Sequence, residues 1–325
     1  MNLSHALLST LADGRFHSGT ELGEITGRTR AAVWKAIRNL QHSGLEIYSV
    51  RGKGYRLAEP LELLDRDIIL NAMAQAARSQ LKVLEVQPQI DSTNAYLLEI
   101  AKQSDVSGYA CLAEQQLAGR GRRGRQWVSP PGGNIYLSLL WRFSHGVAQL
   151  GGLSLAVGVA VARALEAVGL SEARLKWPND VLVEERKLAG ILLEMSGEAA
   201  GPCAVVIGIG LNVRTPAALM SEVGQPWVDL QSLLPHRVSR NQLVSHMLEQ
   251  VILSIRRFEP QGFVQFQQDW NERDAYAGQA VELLLADRRI QGVAQGVDEQ
   301  GALLLIQDGK LQRFHSGEVS LRARA

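Results

Sequence analysis

The chain has 325 residues, 46% of them hydrophobic and 21% charged, with a net charge of +1. That length exceeds one ordinary core and implies two or three domains. The even charge balance excludes a protein coated in basic residues, so any nucleic-acid contact has to be local. The longest apolar run, Leu150 to Ala162, is too short to span a bilayer, and no membrane partner is expected. The first residues lack a basic stretch leading into an apolar one. Cys111 and Cys203 sit in apolar, strand-like runs without metal-ligand spacing. Together these point to buried free thiols in a reducing compartment and to a cytoplasmic protein.

In residues 1–65, Leu7, Leu8 and Leu11 share one helical face that ends at Asp13-Gly14, and Leu22 and Ile25 fit a second short helix stopped at Gly27. A third helix starts near Thr29 and turns Val33, Ile37 and Leu40 inward. Its opposite face collects Ala31, Trp34, Lys35, Arg38 and His42, with Thr29 and Arg30 at the N-terminus. Two strands, Leu45 to Val50 and Tyr55 to Leu57, are joined by Arg51-Gly52-Lys53-Gly54. Three short helices followed by a basic-tipped hairpin make a winged helix-turn-helix. Residues 1–60 hold eight Lys and Arg against five Asp and Glu, with the surplus on the third helix and the wing. Operator DNA is the expected partner of Thr29, Arg30, Ala31, Trp34, Lys35, Arg38, Arg51 and Lys53. The alternative is a small helical module for protein contacts whose outward charges are merely solvated. Pro60 and Leu61 to Asp65 read as a linker.

Residues 66–272 alternate strands and helices. Val83 to Val86 reads as a strand, and Asp91-Ser92-Thr93-Asn94 supplies capping chemistry for a helix running through Tyr96, Leu97, Ile100 and Lys102. A strand from Tyr109 to Gln116 leads into Gly119-Arg120-Gly121-Arg122-Arg123-Gly124-Arg125-Gln126-Trp127. Four guanidiniums on a glycine-loosened backbone cannot enter a core and instead suit phosphate or carboxylate. The same string fits G-x-G-x-x-G, but Val128 to Gly133 contains two prolines and two glycines and cannot open a helix, which rejects a dinucleotide-binding turn. Ile135, Leu137, Leu139 and Trp141 alternate as a strand, a Gly-rich apolar helix spans Gln149 to Val168, and Arg174 to Val183 forms two strand pieces bent at Pro178-Asn179. A hairpin at Glu184-Glu185-Arg186 opens the strand Lys187 to Glu194. Another buried strand, Cys203 to Ile209, ends at Gly208-Ile209-Gly210-Leu211-Asn212. Mostly antiparallel strands backed by helices indicate an α+β domain. Two lysines near strand ends, Lys176 and Lys187, with Asp180 and the arginine loop make a cation-rich site with room for a metal. That set suits phosphoryl or adenylyl transfer. Solvated pairs Lys176 with Asp180 and Glu185 with Lys187 are the bland alternative.

Residues 273–325 follow a helical stretch, Gln261 to Asn271, with short strands at Ala280 to Leu285, Arg289 to Val297, Ala302 to Ile306 and Leu311 to Phe314. Asp308-Gly309 signals a hairpin, and a small β-barrel without a catalytic cluster results.

Three motifs carry a resemblance. Gly119 to Trp127, Lys176-Trp177-Pro178-Asn179-Asp180 and Arg186 to Leu192, together with the wing Arg51 to Tyr55, resemble those of the bifunctional biotin operon repressor and biotin protein ligase family, nearly end to end. The resemblance implies an α+β multidomain protein with three parts. These are a winged helix-turn-helix (1–65), a central mixed-sheet ligase domain like the class II aminoacyl-tRNA synthetases (66–272), and an SH3-like C-terminal β-barrel (273–325). It implies that biotin and ATP with Mg²⁺ form biotinyl-5′-adenylate, which is passed to a lysine of a biotin carboxyl carrier protein and also serves as corepressor for a ligand-promoted homodimer. Ser92, Thr93, Asn94, Gln116, Arg120, Gly121, Arg122 and Lys187 are then expected around biotin. Trp127, Pro130, Asn179, Asn212 and Trp227 are expected around the nucleotide, and Arg120, Arg122, Lys176, Asp180 and Lys187 at the reacting groups, with Asp180 toward Mg²⁺. The segment Ser129 to Asn134 is richer in proline and glycine than the family pattern. A DNA-binding sensor that holds a small anion without catalysis, and an acyl ligase for lipoate, are the competing readings.

Overall fold

The computed structural model describes residues 3–197, 201–216, 219, 223–285, 289–315 and 320–323. Helices α1 (Leu3–Leu11), α2 (Gly19–Thr26) and α3 (Arg30–His42) precede the hairpin β1 (Ile47–Val50) and β2 (Gly54–Leu57). Local chemistry sets the helix limits. Ser18 and Glu21 form a reciprocal capping box on α2, Gly27 ends that helix at φ 64°, and the Thr29 hydroxyl accepts from Ala32 N at 3.3 Å to start α3. Leu7, Leu8, Leu11, Leu22, Val33, Ile37 and Leu40 close a core separate from the rest of the chain. His17 pairs with Tyr55 through two backbone hydrogen bonds of 2.9 Å, an isolated antiparallel bridge beside the two-stranded wing.

After α4 (Arg66–Ala72) and α5 (Gln75–Arg78), the central domain builds a seven-stranded sheet in the order β3-β4-β5-β9-β8-β7-β6. Its members are β3 (Val83–Gln87), β4 (Tyr109–Ala113), β5 (Ile135–Phe143), β6 (Arg174–Lys176), β7 (Asp180–Val183), β8 (Arg186–Gly197) and β9 (Cys203–Leu211). Only β3 and β4 run parallel. One face of the sheet, carrying Leu137, Leu139, Trp141, Ile207 and Ile209, packs on α7 (Leu153–Glu166). The other face receives α6 (Thr93–Gln103) through Leu97 against Cys111, Leu140 and Val206.

Among the differences from the sequence expectation are two boundaries and one helix. The strand predicted to reach Gln116 ends at Ala113, because its partner β5 ends opposite, with Ala113 facing Tyr136; Gln116 instead bridges Ile90. The helix expected from Gln149 starts at Leu153, where Gly152 turns in at φ 77°. A short α8 (Leu230–Leu233) is followed by the 22-residue α9 (Arg240–Gln261), which the sequence reading left out, and then by α10 (Val264–Glu272). Helix α9 packs on α7 and buries Leu243, Met247, Val251, Ile255 and Phe258.

The C-terminal strands β10 (Ala280–Leu284), β11 (Arg289–Val297), β12 (Leu303–Gln307), β13 (Lys310–Phe314) and β14 (Ser320–Ala323) pair entirely antiparallel in the order β13-β12-β11-β10-β14. Their buried Val281, Leu283, Leu303 and Leu305 join the core of the central domain. The fully buried Trp177 donates its indole N–H to Gly301 O at 3.0 Å across the same boundary. Among the described residues, no helix is long and apolar enough to cross a membrane.

Candidate functional site

A cavity of about 560 Å³ opens on the α6 face of the central sheet, roofed by the arginine loop. Its floor exists because that face of β9 lacks side chains where space is needed. A Cβ on Gly208 would come within 2.2 Å of Asn94 Oδ1, and one on Gly210 within 2.4 Å of Trp127 Cε2. The alternate residues Ile207 and Ile209 point into the core beneath.

At one end stands the cap of α6. Ser92 accepts from Ala95 N at 3.4 Å, and the Thr93 N–H and hydroxyl both donate to Gln116 Oε1, at 2.9 and 3.1 Å. Asn94 is held on both sides of its amide: Ser138 donates to Oδ1 at 2.5 Å, while Nδ2 donates to Glu194 Oε2 at 2.9 Å. The same Glu194 oxygen accepts from Arg120 Nη2 at 2.7 Å. Gln116 in turn donates to Ser129, whose hydroxyl donates to Trp127 O. The polar wall is thus tied to both ends of the arginine loop.

At the other end Arg122 Nη1 donates to Asn179 Oδ1 at 3.1 Å, and Asn179 Nδ2 donates to Ile191 O at 2.8 Å. Burial pushes the Arg122 guanidinium below its ordinary pKa, an effect increased by Arg123 and Arg125 and opposed by Asp180. Lys187 Nζ meets Asp180 Oδ1 at 2.7 Å and lies 5.4 Å from the Trp127 ring centroid. Lys176, on the strand that pairs with Asp180, also lines the cavity. Asn212 and Trp227 border a smaller neighbouring pocket of about 40 Å³ that shares Trp127 and Lys187 with the main one. Asn212 Nδ2 donates to Val228 O at 3.2 Å.

The structure therefore gathers Ser92, Thr93, Asn94, Gln116, Arg120, Gly121, Arg122, Trp127, Lys176, Asn179, Asp180 and Lys187 around one cavity, with Asn212 and Trp227 alongside. Pro130 lines neither pocket; it is buried behind the loop, and its carbonyl accepts from Tyr136 at 2.8 Å. Ser138 and Tyr276 also line the cavity, and Glu194 reaches it through its bonds to Asn94 and Arg120. A serine in the apolar alternation of β5 was a legible signal, whereas Tyr276 reaches the cavity from the C-terminal module, a contact that no local pattern announces. Burial, followed by Glu185, Asp180 and Asp274, raises the Tyr276 pKa.

On the winged helix, Thr29, Arg30, Ala31, Trp34, Lys35, Arg38, Arg51 and Lys53 are all exposed, on α3 and the wing. Arg38 stacks over Trp34 at 5.6 Å, and Arg56 lies between Phe16 and Tyr48 at 5.1 and 5.4 Å.

Comparison with known proteins agrees with this layout. The profile of the biotin/lipoate A/B protein ligase family matches residues 86–212, that of the biotin protein ligase C terminal domain matches 276–322, and an HTH domain profile matches 4–56. The chain is 41% identical to the bifunctional ligase/repressor BirA of Escherichia coli over 317 residues, covering 98% of this chain and 96% of that one. It is 36% identical to the biotin–[acetyl-CoA-carboxylase] ligase of Mycobacterium tuberculosis, covering 75% and 90% of the two chains. The biotin protein ligase from Aquifex aeolicus in complex with biotin and ATP superposes with a TM-score of 0.64 at 29% identity, over 75% of this chain and all of that one. The chain belongs to the biotin protein ligase family, among its bifunctional ligase/repressors.

Proposed function

We propose that this chain joins biotin to ATP as biotinyl-5′-adenylate, passes the biotinyl group to a lysine of a biotin carboxyl carrier protein, and represses transcription with the adenylate as corepressor. The observation that carries this reading is the single cavity in which a polar pocket, Ser92 to Asn94 with Gln116, is continuous with the cations Arg120, Arg122, Lys176 and Lys187. The polar end suits the ring of biotin, and the cationic end suits its carboxylate and the triphosphate.

In the first step a biotin carboxylate oxygen attacks the α-phosphorus of ATP, the bond to pyrophosphate breaks, and a mixed anhydride forms. Two anions have to meet, so guanidinium and ammonium groups fixed around the junction lower the barrier. Arg120, Arg122 and Lys187 fill that role, and Asn179 orients Arg122. Trp127, Asn212 and Trp227 suit the adenine side. Mg²⁺ bound with the triphosphate would neutralise phosphate charge, with Asp180 the protein carboxylate placed to help hold it. Among the described residues no cluster of three or more ligating side chains is preformed for a metal. The loop then keeps water from the anhydride until the neutral ε-amine of the acceptor attacks the acyl carbon and AMP leaves.

The winged helix presents α3 and its wing to operator DNA. A homodimer suits two-fold related half-sites. Among the described residues, Leu193 to Gly197 of β8 pair only with β9, so one edge of that segment is open to a second copy. Because Glu194 lies in this segment and binds Arg120, loop ordering and dimer formation have a common element.

Intact-mass analysis of a carrier domain incubated with the protein, biotin and MgATP tests the ligase half. Addition of one biotinyl group, absent without ATP, is the expected result; an unmodified carrier, with a known ligase as positive control, contradicts it.

A further inference from the structure

Among the described residues, Glu194 is the one carboxylate that hydrogen-bonds both Asn94 at the polar end of the cavity and Arg120 of the arginine loop. Its Oε2 accepts from Asn94 Nδ2 at 2.9 Å and from Arg120 Nη2 at 2.7 Å. Gly190, Leu192 and Glu194 share one face of β8 by strand alternation, and this is the cavity face. Glu194 is only about one quarter exposed.

Each contact has a chemical consequence. The Asn94 amide can face two ways; Ser138 donates to one end, and an acceptor at 194 obliges the NH₂ end to lie toward β8. The Arg120 guanidinium, which the ligase reading assigns to the substrate anion, is paired with this carboxylate at 2.7 Å. A biotin carboxylate or a phosphate that engages Arg120 competes with Glu194 for the same guanidinium.

We propose that Glu194 is a positioning residue: it fixes the Asn94 amide and holds Arg120, with the loop attached, until the substrate anion replaces it. The assignment rests on the ligase reading for the nature of that anion, but the contact itself does not.

The full-length protein and its E194Q, R120Q, E194Q/R120Q and E194A variants are treated with limiting trypsin, and cleavage after Arg122, Arg123 and Arg125 is followed by peptide mass mapping. Without substrate, E194Q and R120Q are each expected to be cut on the order of threefold faster than the wild type, and the double variant no faster than either. Biotin with MgATP returns E194Q to the protected rate of the wild type. In steady-state assays E194Q, which retains an acceptor for Asn94, keeps the KM for biotin within about twofold, while E194A raises it on the order of tenfold with kcat little changed. A wild-type cleavage rate for E194Q, or additive rates in the double variant, overturns the loop assignment; an unchanged KM in E194A overturns the Asn94 assignment. If biotin with MgATP fails to protect even the wild type, the ligase reading fails, while the substrate-free comparison still decides the Glu194 contact.

Discussion

Lys187 stands between opposing partners, an aspartate at 2.7 Å and the Trp127 ring at 5.4 Å. The pairing keeps the ammonium fixed before substrate arrives, so little reorganisation is needed when charge develops at the α-phosphate. Lys187→Met is expected to slow adenylate formation by about 100-fold or more, read as pyrophosphate release, because one preorganised charge is lost. Gly210 acts by absence. An added Cβ would lie 2.4 Å from the Trp127 ring, so Gly210→Ala is expected to cost about 1–3 kcal/mol in denaturant unfolding and to raise the KM for ATP by displacing the indole. The charged half of the site was legible because arginines and lysines at strand ends have few structural reasons to be there. Glu194 and Tyr276 were not, since a polar residue on a half-buried strand or a linker looks ordinary until its partners, distant in sequence, are known.

Among the elements, the arginine loop and the winged helix were recoverable from local signals: caps, glycines at helix ends and inward leucines. Helix α9 carries an equally clear pattern in Leu243, Met247, Val251 and Ile255, so its omission reflects a missed helical period and not an unusual fold. Its first turn holds the most buried ion pair of the described residues. Arg240 Nη2 donates to Glu114 Oε2 at 2.9 Å with side chains 5% and 2% exposed, and Nη1 donates to Gly132 O and Glu62 O. Glu114 also accepts from Leu64 N, so linker, loop base and α9 meet at one pair. Glu114→Ala is expected to cost about 3–5 kcal/mol in chemical denaturation, with Glu114→Met/Arg240→Met costing less than the two single changes together. In the winged helix, burial opposes charging of His17, but its hydrogen bonds to Glu21 and Asp13 outweigh that and raise its pKa. Asp13 and Glu21 are lowered, His17 being one of the causes for each. The imidazolium stabilises the folded domain fully below the unfolded value near 6.5 and ceases to do so as pH rises through the higher folded value. The carboxylates contribute above their unfolded values of 3.8 and 4.5 and stop as pH falls through the lower folded ones. The cluster thus stabilises most between about 4.5 and 6.5. An NMR titration of the His17 ring is expected to show a midpoint above 6.5, returning toward it in Asp13→Asn/Glu21→Gln; an unshifted wild-type ring contradicts the clamp.

For the whole molecule, the winged helix has its own core and meets the central domain through the Glu62 to Asp65 linker and polar contacts such as Glu59 with Arg214 at 2.9 Å, whereas the C-terminal module shares its core with the central domain. Removal of residues 1–60 is accordingly expected to abolish operator footprinting while leaving the central and C-terminal parts folded. The domain order was legible in composition and turn signals; the fusion of the last two cores was not, because Trp177, Gly301 and Tyr276 reveal their meeting only in three dimensions. In the proposed function one adenylate, held under one loop, serves both carrier and operator. Operator footprinting of the full-length protein with biotin and MgATP, followed by addition of unmodified carrier domain, tests it most directly. Protection is expected to appear only when both biotin and ATP are present and to decline as the carrier becomes biotinylated. Protection that is independent of biotin, or that persists after all the adenylate has been transferred, would contradict the claim.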